Sequence, residues 1–154
     1  MFQNKVIVIT GGAGGIGKCI AEEFSKQGAH VCVIDCAEGD HYVGDIADQA
    51  TLEDFARRVI EKYGRVDVLV NNAPPGFRGI DRCTYAQFQR SMAIGVTAPF
   101  YLSKLFAPYF PKGASIINIS SSRDRMSQPQ SESYTAAKGG IAALTHALAV
   151  SFAG

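Results

Sequence analysis

Four short runs in this chain are apolar at consecutive rather than alternate positions: Lys5 to Thr10, His30 to Ile34, Val66 to Val70 and Ser115 to Ile119. A strand with apolar side chains on both faces needs cover on both faces. That is the situation of a parallel sheet sandwiched between helices, not of an antiparallel sheet with one wet face. The intervening segments supply the cover. Ile16 to Gln27 carries Ile16, Ile20 and Phe24 on one helical face before Gly28, and Leu52 to Tyr63 carries Leu52, Phe55, Ala56, Val59 and Tyr63 before Gly64. Two longer helical patterns run from Tyr85 to about Tyr109 and from Glu132 to about Phe152, and a short strand is expected at Tyr42-Val43.

Strands alternating with helices give βαβ units with right-handed crossovers, hence an α/β doubly wound parallel sheet. No repeat, linker or low-complexity stretch divides the sequence, so residues 1–154 are expected to form a single domain. The turn Pro74-Pro75-Gly76 and the polar stretch Ser120 to Ser131 each follow a strand. Ligands of open α/β sheets sit beyond the carboxyl ends of the strands, so both loops should face the site.

Composition narrows the function. With 47% hydrophobic and 19% charged residues the 154-residue chain has material for a core and is not of disordered type. Fifteen Lys+Arg against 14 Asp+Glu leave a net charge of +1, and Arg57-Arg58 is an isolated basic pair, so nucleic acid is not expected as a partner. No apolar run approaches the roughly 20 residues that span a bilayer, and Val6 to Ile9 is too short for a signal sequence. Cys19, Cys32, Cys36 and Cys83 show no C-x-x-C spacing, and His30, His41 and His146 form no ligand pattern with them. The expectation is a cytoplasmic, metal-free protein with buried, reduced thiols and no membrane partner.

The segment Thr10-Gly11-Gly12-Ala13-Gly14-Gly15-Ile16-Gly17 joins the first strand to the first helix. Gly12, Gly14 and Gly17 fit G-x-G-x-x-G, and Gly11, Gly15 and Gly17 fit T-G-x-x-x-G-x-G. In both readings side chains are missing where backbone turns sharply, approaches a pyrophosphate and packs helix on sheet, with the helix N-terminus facing the phosphates. Asp35 ends the second strand, 18 residues after Gly17. A carboxylate there accepts hydrogen bonds from ribose hydroxyls and repels a 2′-phosphate, and no Arg or Lys lies between Asp35 and Asp45 to bind one. Both points favour NAD over NADP.

Tyr134 and Lys138 are four residues apart, on one face of the last predicted helix, and Ser121 lies 13 residues before the tyrosine at a strand exit. A phenol beside an ammonium is a usable acid/base. With the glycine loop, Asn71-Asn72-Ala73 after the fourth strand and Asn118-Ile119-Ser120-Ser121, this constellation resembles the short-chain dehydrogenase/reductase family in its compact, single-domain form, over residues 5 to about 152. The resemblance implies a Rossmann-type sheet of strand order 3-2-1-4-5. It also implies an NAD(H)-dependent oxidoreductase that transfers hydride between nicotinamide and a small alcohol/carbonyl substrate. Tyr134 would be the general acid/base, Ser121 would hydrogen-bond the substrate oxygen, and Lys138 would bind the nicotinamide ribose and lower the tyrosine pKa. Gly11, Gly14, Gly15, Ile16 and Gly17 would hold the pyrophosphate and Asp35 the adenosine ribose. Asp45 and Ile46 would lie near the adenine, with Asn72, Ala73 and Ile119 along the cofactor.

The chain departs from the family pattern in four places. Pro74 stands where the family has glycine. Gly95 stands where the family has a relay asparagine, which leaves open a cofactor-binding protein without turnover. Only nine residues separate Asp35 from Asp45, too few for a crossover helix, so the adenine side should be shallow and open. Family members run to roughly 250 residues as one domain, so the chain is expected to be part of a longer polypeptide, with strand 115–119 a bare apolar edge. Ala136, Gly140, Ala143, Ala147 and Val150 form a small-residue face on the last helix. In the family the fourth and fifth helices, here 85–109 and 132–152, pair with a second subunit, so a homodimer or homotetramer is expected.

Overall fold

The computed structural model describes residues 1–153; residue 154, the last of the expected domain, lies outside the described residues. In chain order the elements are β1 (Val6–Thr10), α1 (Gly15–Lys26), β2 (His30–Asp35), β3 (Tyr42–Val43) and α2 (Gln49–Tyr63), followed by β4 (Val68–Asn71), α3 (Tyr85–Met92), α4 (Ala98–Phe106), β5 (Ser115–Asn118) and α5 (Glu132–Ser151). The five strands form one parallel sheet of order β3-β2-β1-β4-β5, a Rossmann-type arrangement. β1 is central and every one of its residues is buried. Its side chains alternate between two cores, as two-faced burial requires. Val6 and Val8 join Ile34, Leu69, Leu102 and Phe106 on the side of α2 and α4. Ile7 and Ile9 join Val68 and Val70 against Ile20 and Phe24 of α1.

Asp67 locks the amino ends of the two central strands. Its carboxylate accepts hydrogen bonds from the Val6 amide at 3.0 Å, from Lys5 Nζ at 3.1 Å and from Arg65 Nη2 at 2.6 Å. The strand expected from Val66 is shortened to start at Val68, with the Val66 amide donating instead to the Tyr109 carbonyl at 3.1 Å. α2 begins earlier than the apolar pattern indicates, because Asp48 caps it by accepting from the Thr51 amide at 2.9 Å.

The helix expected over residues 85–109 is interrupted. Between α3 and α4, Ala93–Thr97 is a π-helical turn, and Ala107–Tyr109 closes α4 as a 3₁₀ turn. Gly95 weakens a helix here, and Pro99 lacks the N–H that would have bonded the Gly95 carbonyl, so the ladder widens by one residue. A Cβ on Gly95 would sit 2.7 Å from Ala137 Cβ and 3.1 Å from Pro75 Cβ, so α5 and the loop after β4 occupy the space of a side chain.

Two expectations of burial need correction. Cys19 and Cys36 are exposed, and Cys32 and Cys83 are only partly buried. Cys19 lies on the solvent side of α1. Cys32 lies on β2 facing α2, packed beside Phe55 and Val59 but still partly exposed. Val31 and Val33, on the opposite face of the strand, are partly exposed because the connection to the two-residue β3 contains no helix. Burial nonetheless pushes the Cys32 thiol up to about 11, against a smaller opposing effect of Lys62. On the other side of the sheet β5 is an edge strand with Ile117 exposed, beside a cavity of about 740 Å³ lined by Phe110, Ile116, Leu148 and Phe152 among others. Among the described residues no helix is long and apolar enough to cross a membrane, and no group of three His, Cys, Asp or Glu could hold a metal ion.

Candidate active site

The carboxyl ends of β1, β2, β4 and β5 open onto a cavity of about 640 Å³. Its floor is the glycine loop. α1 starts at Gly15 with Gly14 as N-cap, no side-chain cap and no acid in its first turn. The N-termini of α2 and α3 are satisfied differently, by Asp48 and by a capping box of Thr84 with Gln87. The amides of α1 therefore face the cavity unpaired by any side chain, with the positive end of the helix dipole behind them. Gly14 and Gly15 border open space.

Asn72 ties this loop to β4. Its Nδ2 donates to the carbonyls of Thr10 at 3.1 Å and Gly11 at 2.9 Å, while Thr10 Oγ1 accepts from the amides of Asn72 at 3.0 Å and Ala73 at 3.1 Å. Gly17 is buried under this knot. A Cβ there would lie 2.2 Å from the Gly11 carbonyl oxygen and 2.4 Å from Asn72 Nδ2, so only glycine fits.

Two carboxylates border the outer half of the cavity. Asp35 accepts from the Ala13 amide and the Ala37 amide, each at 3.0 Å. Burial raises its pKa, but the two backbone hydrogen bonds together with nearby His41 and Cys36 outweigh that effect and hold the carboxyl below its ordinary value. Asp45 forms an ion pair with Arg90, Nη1 to Oδ2 2.7 Å, and accepts from the Ala47 amide at 2.9 Å.

The inner half is built by α5. Lys138 is 5% exposed, its Nζ donates to the Ile119 carbonyl, and desolvation lowers its pKa. The ammonium lies 5.6 Å from the centroid of the Tyr134 ring. Phe77 packs on the same ring at 5.4 Å between centroids. The loop carrying Phe77 is stitched to the start of α5. Ser133 Oγ donates to the Gly76 carbonyl at 2.8 Å and accepts from the Arg78 amide at 2.9 Å, and Glu132 Oε2 accepts from the Ile80 amide at 2.9 Å.

Of the residues expected at the site, Gly11, Gly14, Gly15 and Ile16 line this one cavity, as do Asp35, Asp45 and Ile46, and Asn72, Ala73, Ile119, Tyr134 and Lys138. Gly17 lies beneath the wall. Ser121 is not on the wall: its Oγ accepts from the Arg123 amide at 3.2 Å and caps the 3₁₀ turn Ser122–Asp124. The neighbouring Ser120 does line the cavity, and its Oγ donates to Asp124 Oδ2 at 3.0 Å. Sequence reasoning missed Arg90 and Phe77. Each meets its partner, Asp45 and Tyr134 respectively, across more than 40 positions of chain with no spacing to reveal it.

A parallel 3-2-1-4-5 sheet with an uncapped glycine turn and a Tyr134-x-x-x-Lys138 helix on one cavity finds its counterpart in known proteins. The family described as short chain dehydrogenase matches residues 5–154. The chain belongs to the short-chain dehydrogenase family. It is 37% identical over 173 residues to an uncharacterized oxidoreductase of Thermotoga maritima, an alignment covering 98% of this chain and 66% of that relative. Among solved structures, an apo SCOR enzyme from Clostridium thermocellum matches with a TM-score of 0.90 at 44% identity, covering 96% of this chain and 66% of that one. The 3-ketoacyl-(acyl-carrier-protein) reductase of Brucella melitensis, solved with NADH, matches with a TM-score of 0.89 at 27% identity, over 98% of this chain and 71% of that one. This short-chain dehydrogenase chain thus spans about two thirds of the length of those relatives.

The cavity fits the family's nicotinamide dinucleotide chemically. Unpaired helix amides suit a pyrophosphate, Asp35 suits a ribose diol, and the Lys138 ammonium lies within the same cavity as the Tyr134 phenol.

Proposed function

We propose that the protein is an NAD(H)-dependent oxidoreductase of alcohol/carbonyl pairs. The observation that carries this reading is the single cavity uniting the uncapped N-terminus of α1, Asp35, Tyr134 and Lys138. The nicotinamide, when bound, supplies the hydride acceptor or donor. The protein's own groups do the rest. The amides of Gly15, Ile16 and Gly17 bind the pyrophosphate, and Asp35 accepts from the adenosine ribose and disfavours a 2′-phosphate. Tyr134 moves the proton at the substrate oxygen, giving its phenolic proton in reduction and taking the alcohol proton in oxidation. Lys138, held at the Ile119 carbonyl, stabilises the anion that Tyr134 becomes when it gives up its proton.

Ser121 is the serine the resemblance assigns to the substrate oxygen, and Ser120 is the one on the wall. A Ser121→Ala variant that keeps full turnover would transfer the role to Ser120. The substrate is a small alcohol or carbonyl compound. The protein works in the cytoplasm as a homodimer or homotetramer through helices α3 to α5, a reading supported by the exposure of Tyr85, Phe88, Phe100, Ala143 and Ala147 on their outer faces.

Fluorescence titration with NADH and then NADPH tests the cofactor half of this reading. Saturable, NADH-preferring binding is expected, and Asp35→Ala should bring the two affinities together. Absence of binding to either nucleotide would refute it.

A further inference from the structure

Phe77 sits where the loop after β4 is tied down on both sides. The Gly76 carbonyl before it accepts from Ser133 Oγ at 2.8 Å and from Ser91 Oγ at 3.2 Å. The Arg78 amide after it donates to Ser133 Oγ at 2.9 Å, and the Arg78 carbonyl accepts from the Ser133 amide at 3.1 Å. Ser91 of α3 and Ser133 of α5 are both buried. Two helices therefore fix the backbone on either side of Phe77, although the residue itself belongs to a loop.

The Phe77 ring meets that of Tyr134 with centroids 5.4 Å apart and planes inclined by 39°, yet it stays 42% exposed. Tyr134 borders the dinucleotide cavity and Phe77 does not. The phenol thus has the cavity on one flank and a half-bare aromatic ring on another. Ile80 on the same loop and Met126 on the loop after β5 are exposed as well. The acids of this region are engaged already: Asp81 with Gln130, Asp124 with Ser120 and Glu132 with the Ile80 amide. A site for a polyol needs free directional acceptors, whereas a fixed ring with one face bare offers an apolar platform.

We propose that Phe77 is a specificity-determining residue: its bare ring face receives the non-reacting substituent of the substrate, which is an alcohol or ketone bearing an aryl or bulky alkyl group and not a sugar. This rests on the oxidoreductase reading given above and names the substrate class of that site. A substrate whose oxygen meets the Tyr134 hydroxyl places its other substituents beside the tyrosine, and Phe77 is the apolar surface fixed there. The probes are 1-phenylethanol, propan-2-ol, which has a methyl group in place of the ring, and D-glucose, each oxidised with NAD and followed as NADH formation.

The wild-type chain should show a kcat/KM for 1-phenylethanol about 100-fold above that for propan-2-ol and at least about 100-fold above that for D-glucose. In Phe77→Ala the ratio of 1-phenylethanol to propan-2-ol should fall about tenfold, with NADH affinity held within about twofold. Phe77→Tyr, which keeps the ring, should restore most of the ratio. A Phe77→Ala protein with an unchanged ratio would overturn the proposal. So would one that loses both alcohols equally or no longer binds NADH, which is what a merely structural phenylalanine predicts. A wild-type chain that oxidises D-glucose or propan-2-ol as well as 1-phenylethanol would also overturn it while leaving the oxidoreductase reading intact. A wild-type chain that oxidises none of the three and turns over no other alcohol or carbonyl compound would fall on the function proposed above and take this inference with it.

Discussion

The two ends of the cavity are held by different means. At the outer end the carboxylates of Asp35 and Asp45 are fixed by backbone amides and by Arg90, and the pyrophosphate floor is fixed by the knot around Asn72. At the inner end Tyr134 sits on a helix, but its neighbour Phe77 rides on a loop attached through Ser133, Glu132 and Gln130. The outer end is therefore a preformed receptor, while the geometry of the inner end depends on how well one loop stays stitched. Binding and chemistry should be separable by mutation.

The largest effect should come from breaking the outer end at its tightest point. Gly17→Ala puts a methyl 2.2 Å from a carbonyl oxygen. The loop must move, so NADH binding should fall at least about 100-fold and the fold should lose about 1–3 kcal/mol. Unchanged NADH titration and thermal melting would contradict the packing described for this turn. Next comes Tyr134→Phe, which keeps the ring and removes the acid/base. Turnover on any accepted alcohol should drop about 10²- to 10⁴-fold, with NADH affinity held within about twofold. A variant that turns over normally would remove Tyr134 from the chemistry.

A smaller change should follow from loosening the stitch. Ser133→Ala leaves the Arg78 amide without its buried partner, while the Gly76 carbonyl keeps the Ser91 hydroxyl at 3.2 Å, at a cost of about 1–3 kcal/mol. Because the stitch carries Phe77 and not Asp35, kcat should change while the affinity for ADP-ribose stays constant; a loss of ADP-ribose binding would mean that the two ends are coupled.

The smallest effect concerns acid stability near the outer end. Asp54 accepts from the Tyr42 hydroxyl and pairs with Arg57 and Arg58, which lowers its pKa from 3.8 to about 2. A group depressed on folding contributes stability that is present above pH 3.8 and lost as pH falls toward 2. Urea midpoints of wild type and Asp54→Asn should differ slightly at pH 6 and converge near pH 2; a gap that persists at pH 2 would assign the difference to something other than this carboxylate.

The sheet was legible because its signal is local: β1 and β2 declare themselves as uninterrupted apolar runs, and the glycine turn follows directly. Asp35, Tyr134 and Lys138 were legible because each has a fixed offset from such a landmark. What the sequence hid is tertiary. The π turn at Ala93–Thr97 arises from Gly95 and Pro99 acting together with Pro75 and Ala137 packed against it, and helical periodicity alone reads through it. Arg90 and Phe77 belong to segments remote from their partners, and Ser121 resembles Ser120 until the 3₁₀ turn takes its hydroxyl. The exposure of Cys19 and Cys36 was misread because residue type predicts burial only on average, and Cys36 falls in the short turn that replaces a covering helix.

The clasp at Asp67 also has a bearing on the order in which the molecule assembles. Its carboxylate bonds the Val6 amide across 61 residues of chain, and β1 borders only strands that come later in the sequence. The central strand leaves the ribosome before the other four strands of the sheet, yet β4, its partner at the clasp, follows only after two helices and two other strands have been made. Every ladder in the sheet is parallel, so none can be closed by a hairpin, and each must wait for a distant partner. The most apolar strand of the protein is thus the one exposed longest during synthesis, and folding should be slower than that of a helical bundle of equal length.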